Sequence, residues 1–96
     1  MKIYVTESLR IHGDSFDICV TFDKAEAAAA AEREYNHLTK AERRENEIWI
    51  KAFDVEGVAP NLLMRGAKAT YEEMLDDDDE RIREPVEADR WMPGKD

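Results

Sequence analysis

The stretch "SFDICVTFDKAEAAAAAEREY", residues 15–35, decides the fold, because it changes from a strand pattern to a helix pattern within a few residues. In its first half, apolar side chains occupy every second position: Phe16, Ile18, Val20 and Phe22. This two-residue period is typical of a β-strand with one apolar face. Asp23 then takes a favourable N-cap position, and Glu26 completes the spacing of a capping box. The alanine-rich run that follows has high helix propensity and a face of small side chains.

The segments on either side extend this pattern into a small sheet. Upstream, "KIYVT" at residues 2–6 alternates like a strand, and Gly13-Asp14 supplies the turn of a β-hairpin. Downstream, a second capping box at Thr39 and Glu42 predicts a break near His37 and a short second helix. Residues 47–55, "EIWIKAFDV", alternate again and predict a third strand.

The last predicted element is a helix in "NLLMRGAKATYEEML", residues 61–75. The acidic tract that follows opposes the helix macrodipole, and Pro85 bars continuation, so the helix should end around residues 76–82. The order β-β-α-(short α)-β-α-tail predicts an α+β fold. We expect a small antiparallel sheet with helices packed on one face, a single compact domain at 1–75, and an acidic, partly mobile segment at 76–96.

Negative charge is concentrated at the C-terminal end of the chain. The formal net charge is −9. Residues 1–71 carry 12 acidic and 10 basic side chains, a net charge of −2, whereas residues 72–96 carry 11 and 4, a net charge of −7. This distribution argues against direct binding to nucleic acid or to an anionic membrane, which requires clustered Lys and Arg. It favours a basic protein surface as partner, or a solubilising role.

The cysteine count and the hydropathy pattern bear on the compartment. Cys19 is the only cysteine, so no intrachain disulfide can form and a reducing compartment is expected. The segment "MKIYVTESLR" lacks the long apolar region of a signal peptide, and no apolar run reaches transmembrane length. We therefore expect a cytoplasmic protein.

The segments "KIYVTES", "FDKAEAAAAA" and "YNHLTKAERRENEIWI" resemble small uncharacterised proteins carried by phages and other bacterial mobile elements. The resemblance covers roughly residues 1–55, and the motifs that carry it are structural. It implies a bacterial or phage origin, hence a bacterial host cytoplasm, and a compact α+β domain. It implies no catalytic residue.

Catalytic and metal-binding patterns are weak. Cys19, His12 and His37 match no zinc spacing. An EF-hand calcium loop starting at Asp76 would place Arg81 where glycine is required. No phosphate-binding glycine loop, HExxH motif or nucleophile–base pair is present, so neither an enzyme nor a cofactor is predicted.

The function hypothesis is a small, non-enzymatic acidic protein that binds a basic, nucleic-acid-binding partner as a nucleic-acid mimic. Its most concrete form is an anti-defence inhibitor of the anti-CRISPR type. The predicted partner-binding residues are Glu72, Glu73, Asp76, Asp77, Asp78, Asp79, Glu80, Glu84, Glu87 and Trp91. Trp91 could equally fold back as a staple onto a helix.

Two other classes stay open. One is an antitoxin whose acidic C-terminal segment orders on a basic toxin. The other is a small-molecule binder, such as a nucleotide-sequestering protein, that uses Tyr4, Trp49 and Phe53 with Lys51, Arg43 or Arg44. The oligomeric state is left open.

Overall fold

A four-stranded antiparallel sheet forms the centre of the molecule. The structure is a computed structural model of the chain, and it describes residues 1–94. The strands are β1 (Lys2–Arg10), β2 (Ser15–Thr21), β3 (Asn46–Asp54) and β4 (Glu87–Arg90). They lie in the order β2-β1-β3-β4, so the predicted hairpin β1–β2 forms one side of the sheet and β1 pairs with β3 along its whole length.

Four α-helices and one 3₁₀ turn accompany the sheet. They are α1 (Lys24–His37), α2 (Lys40–Glu45), α3 (Pro60–Leu63), α4 (Ala67–Asp76) and the 3₁₀ turn Glu80–Ile82. Of residues 1–94, none belongs to a helix that is both long and apolar enough to cross a membrane.

The N-termini of α1 and α2 are capped, but only one of the two predicted capping boxes forms. At α2 both hydrogen bonds are present: Glu42 N donates to Thr39 Oγ1 at 3.2 Å, and Thr39 N donates to Glu42 Oε1 at 3.0 Å. At α1, Asp23 Oδ1 accepts from Ala25 N at 2.9 Å, as an N-cap should. The Glu26 carboxylate instead accepts a hydrogen bond from the Thr21 hydroxyl, so it is engaged with the end of β2 rather than with the N-cap backbone.

The helices divide between the two faces of the sheet. The α+β class is confirmed, whereas the prediction had placed the helices on one face. On one side, the buried Thr6 hydroxyl donates to Ala27 O of α1 at 2.8 Å. On the other side, Val5 belongs to a buried cluster that includes Met74 of α4. Because neighbouring residues of a strand point to opposite faces, α1 and α4 must cover opposite sides of β1.

Strand β4 is the element that the sequence did not predict. Residues 87–90 pair with β3, so that Trp49 lies opposite Arg90 and Ala52 opposite Glu87. The pairing is extended by Trp91 N, which donates to Ile48 O at 2.7 Å. The segment that was predicted to lie outside the compact domain therefore supplies the edge of the sheet. Its partial mobility stays a prediction.

Candidate functional site

We call residues 72–84 the acidic turn. It begins in the last residues of α4 and contains the hydrogen-bonded motif that ends this helix. Asp79 N donates to Met74 O at 3.0 Å and Asp78 N donates to Leu75 O at 3.1 Å. Asp78 has φ 51°, in the left-handed region. These are the two hydrogen bonds and the left-handed residue of a Schellman motif, in which glycine is the usual residue. The helix ends at Asp76, within the predicted range.

Both ends of the acidic turn are fixed to the core. Met74, near the start of the turn, is 2% exposed, and Ile82, near its end, is 9% exposed; both belong to the cluster around Ile3 and Phe53. Asp79 also caps the 3₁₀ turn, since its Oδ1 accepts from Arg81 N at 2.9 Å. The backbone of the acidic turn is thus held by apolar burial and by hydrogen bonds.

The carboxylates of the acidic turn face solvent, and most have no partner. Asp78 pairs with Arg83 at 2.9 Å, Asp79 with Arg81 at 2.7 Å, and Glu72 with Lys68 at 4.0 Å. The remaining carboxylates form no ion pair with any of residues 1–94: Glu73, Asp76, Asp77, Glu80 and Glu84. All five of these residues are exposed. The acidic turn therefore presents a surface with a large excess of negative charge.

Glu87 and Trp91 do not join this surface. Glu87 lies opposite Ala52, on the side of the sheet that α1 covers, and faces a broad groove of about 940 Å³ between α1 and β4. The Lys2 ammonium donates to Glu87 at 3.1 Å, and this hydrogen bond and the charge of Lys2 lower the pKa of the carboxyl. The half-buried Trp91 packs against Tyr35 of α1, with 5.6 Å between ring centroids. The predicted set thus separates into eight clustered carboxylates and two side chains elsewhere.

The aromatic residues of the small-molecule hypothesis do not converge. Tyr4 and Phe53 belong to opposite faces of the sheet, because Tyr4 pairs with Ala52 and Phe53 with Ile3. Phe53 is 4% exposed in the core. Lys51, the predicted phosphate-binding group, is paired with Glu7 at 3.1 Å. Tyr4, Trp49 and Phe53 therefore share no common binding surface.

A cleft that unites distant parts of the sequence was not predicted. It has a volume of about 200 Å³, and its lining includes Tyr35, Ile48 and Trp91 together with Arg43, Arg44 and Arg90. We call it the arginine–aromatic cleft. The adjacent pair Arg43-Arg44 was a visible signal, which the small-molecule hypothesis combined with Tyr4, Trp49 and Phe53. The structure instead places the pair beside Tyr35 and Trp91. Tyr35 belongs to α1, whereas the arginine pair belongs to α2, and Trp91 follows β4.

The thiol and the potential metal ligands can be located within the described part of the chain. Burial, and next the charge of Glu26, raise the pKa of Cys19, which disfavours the thiolate that nucleophilic attack requires. Within residues 1–94, no three His, Cys, Asp or Glu side chains come together as metal ligands.

Comparisons with known proteins gave no matching family, no matching curated protein and no matching solved structure.

Proposed function

We propose that the protein is a small acidic binding protein that uses the acidic turn to occupy a basic, nucleic-acid-binding surface of a partner. The observation that carries the proposal is the contrast within this turn. Its backbone is anchored through Met74 and Ile82, while five of its exposed carboxylates have no ion pair among residues 1–94. A fixed, unneutralised surface of this kind is suited to a partner that supplies the missing cations.

The charge density of the acidic turn is comparable to that of a nucleic acid. Glu72, Glu73, Asp76 and Asp77 span roughly 7.5 Å of helix axis at about 1.5 Å per residue. The mean spacing is about 2.5 Å, between the values of about 1.7 Å for duplex DNA and about 3.4 Å for one of its strands. A groove that binds nucleic acid would therefore meet a similar field. An inhibitor of the anti-CRISPR type, which fills the guide or DNA channel of an effector, is the most specific form of the proposal.

The placement of the charges is unfavourable for stability, which supports a functional reason for them. Carboxylates at a helix C-terminus oppose the macrodipole. Asp78 has a left-handed backbone that glycine would adopt with less strain. Residues that carry such costs are found preferentially at functional sites. A solubilising role would not require the charge to lie at this particular turn.

The test compares two variants with equal charge change. The first replaces unpaired acids of the turn: Glu73→Gln, Asp76→Asn, Asp77→Asn and Glu80→Gln. The matched control replaces four exposed acids elsewhere: Asp14→Asn, Glu32→Gln, Glu45→Gln and Glu56→Gln. Each protein is immobilised and exposed to nuclease-treated bacterial lysate, and bound proteins are eluted with increasing salt.

The proposal predicts capture of a nucleic-acid-binding protein by the wild type and by the control, but not by the turn variant. Nucleic acid should displace the captured protein, since both ligands would use one basic surface. Equal capture by the two variants, or no competition with nucleic acid, would refute the proposal. Capture of a toxin whose gene neighbours that of this protein would instead favour the antitoxin hypothesis.

A further inference from the structure

The arginine–aromatic cleft is a cationic site in a chain of net charge −9. It lies where the C-terminal end of α1, helix α2 and the start of β3 meet the segment after β4. The guanidinium of Arg43 lies over the Tyr35 ring, 4.1 Å from its centroid, and Arg43 Nε donates to Tyr35 O at 3.0 Å. These two contacts fix the orientation of the guanidinium.

The remaining donors of Arg43 are not used within the described chain. Its Nη1 and Nη2 atoms make no hydrogen bond or ion pair with residues 1–94, and the same holds for the side chain of Arg44. Arg90 has a long contact, 3.5 Å, with Glu47. A guanidinium held through Nε and a ring leaves its two terminal nitrogens in the geometry that binds an oxyanion through two hydrogen bonds.

Apart from Asn46, the rest of the cleft is apolar and aromatic. The Trp91 ring packs against Tyr35, and its position is fixed because Trp91 N donates to Ile48 O. Asn46 also lines the cleft; its Oδ1 is buried without a hydrogen-bond partner in the described chain, while its Nδ2 donates to Glu42 O at 2.8 Å. The volume of about 200 Å³ corresponds to roughly seven water molecules at about 30 Å³ each. This size suits a small organic group.

We infer that the arginine–aromatic cleft binds a small organic oxyanion, a carboxylate or phosphate monoester attached to an aromatic or apolar group. The oxygens pair with Arg43 and with Arg44 or Arg90, and the apolar body lies against Trp91 and Ile48. This site is separate from the acidic turn. It requires an anionic ligand, whereas the acidic turn requires a basic partner, so the inference does not depend on the proposed function.

The test is a titration followed by ¹H–¹⁵N NMR, with three probes of similar shape. Benzoate supplies a carboxylate, phenyl phosphate supplies a phosphate monoester, and benzamide is the neutral control. Shifts should saturate at the amides of Tyr35 and Arg43 and at the Trp91 indole, and not at the acidic turn. We expect at least one anion to bind about tenfold more tightly than benzamide, because hydrogen bonds to a charged group are the stronger ones. Preference for one anion identifies the oxyanion.

Arg43→Lys keeps the charge but loses the paired donors, and should weaken the anion about tenfold while leaving benzamide unchanged. The matched control is Arg65→Lys, at an exposed position of the α3–α4 connection. If Arg43→Lys unfolds, the double variant Arg44→Lys/Arg90→Lys provides the same test. No saturable shift for either anion, equal affinity for benzamide, or unchanged affinity in the arginine variants would overturn the inference.

Discussion

Replacing Asp78 by glycine should stabilise the protein, although it deletes an ion pair. Asp78 has φ 51° at the left-handed position of the Schellman motif that ends α4. An L-residue in this conformation carries a cost of about 1–2 kcal/mol, toward the lower end for Asp. Removing a negative charge from the helix C-terminus adds about 0.3–1 kcal/mol of stability.

Two effects oppose this gain. The contact of Asp78 with Arg83, at 2.9 Å, is lost. The Asp78 side chain is 80% exposed and the Arg83 side chain 57% exposed, so this ion pair contributes about 0–1 kcal/mol to stability. Glycine also increases the conformational entropy of the unfolded chain, which lowers the free energy of unfolding by about 0.4–1 kcal/mol. Since the favourable terms are larger, we expect a net stabilisation of about 0.5–1 kcal/mol, which is a few degrees in Tm for a chain of this length.

The assay is urea and thermal unfolding by circular dichroism, with Asp77→Gly as the matched control. Asp77 loses the same charge in the same turn, but its φ of −82° and ψ of −1° are ordinary for any residue. The control should therefore show the entropy cost of glycine without the relief of strain. If Asp78→Gly is no more stable than Asp77→Gly, the left-handed backbone is not the source of the cost. The support that this strain lends to the proposed function would then be withdrawn.

Three further predictions concern the cap, a partly desolvated carboxyl and the anchor of the acidic turn. Thr39→Ala removes the acceptor of the capping box of α2 and should lower the free energy of unfolding by about 1 kcal/mol, measured in urea. Burial, and then the charge of Glu7, raise the pKa of Asp17 above its ordinary value of 3.8, so the folded state loses stability as pH rises from that value through the raised pKa. Asp17→Asn should therefore raise Tm at neutral pH, and this gain should vanish below the ordinary pKa of the carboxyl. An equal gain at every pH, or an equal gain in Asp14→Asn, would show that the raised pKa of Asp17 is not the cause. Met74→Ala should cost about 2–5 kcal/mol, because Met74 is 2% exposed, and a cost below 1 kcal/mol would show that the turn is not anchored through this side chain.

The sequence predicted those elements whose signals are local. The alternation in β2, the N-cap Asp23 and the capping box at Thr39 each involve residues within a few positions of one another, and each is found in the structure. The placement of helices on two faces was missed because Thr6 and Ser8 count as polar in a hydropathy pattern. Both are buried, and the Thr6 hydroxyl donates to Ala27 O of α1.

The candidate site was partly predictable for the same reason. The eight carboxylates of the acidic turn are close in sequence, so their clustering followed from the chain itself. Strand β4 was not predictable, since "EADR" has neither the apolar alternation nor the β-branched residues of a strand. Its position is set by pairing with β3. The arginine–aromatic cleft depends on that pairing, because Trp91 reaches Tyr35 only when β4 lies beside β3.

The two surfaces lie toward opposite ends of β3, and this separation determines how their charges act. Ile82, within the acidic turn, belongs to the same buried cluster as Phe53, whereas the arginine–aromatic cleft is lined by Ile48. Five residues of extended strand place these ends roughly 17 Å apart. The Debye length is about 8 Å at physiological ionic strength, so exposed charges at one end are largely screened from the other. The net charge of −9 therefore does not describe the potential at the arginine–aromatic cleft. An anion there would experience mainly the charges beside the cleft, which are its arginines together with Glu47. Neutralising the acidic turn should therefore leave the affinity for the anion nearly unchanged at physiological salt.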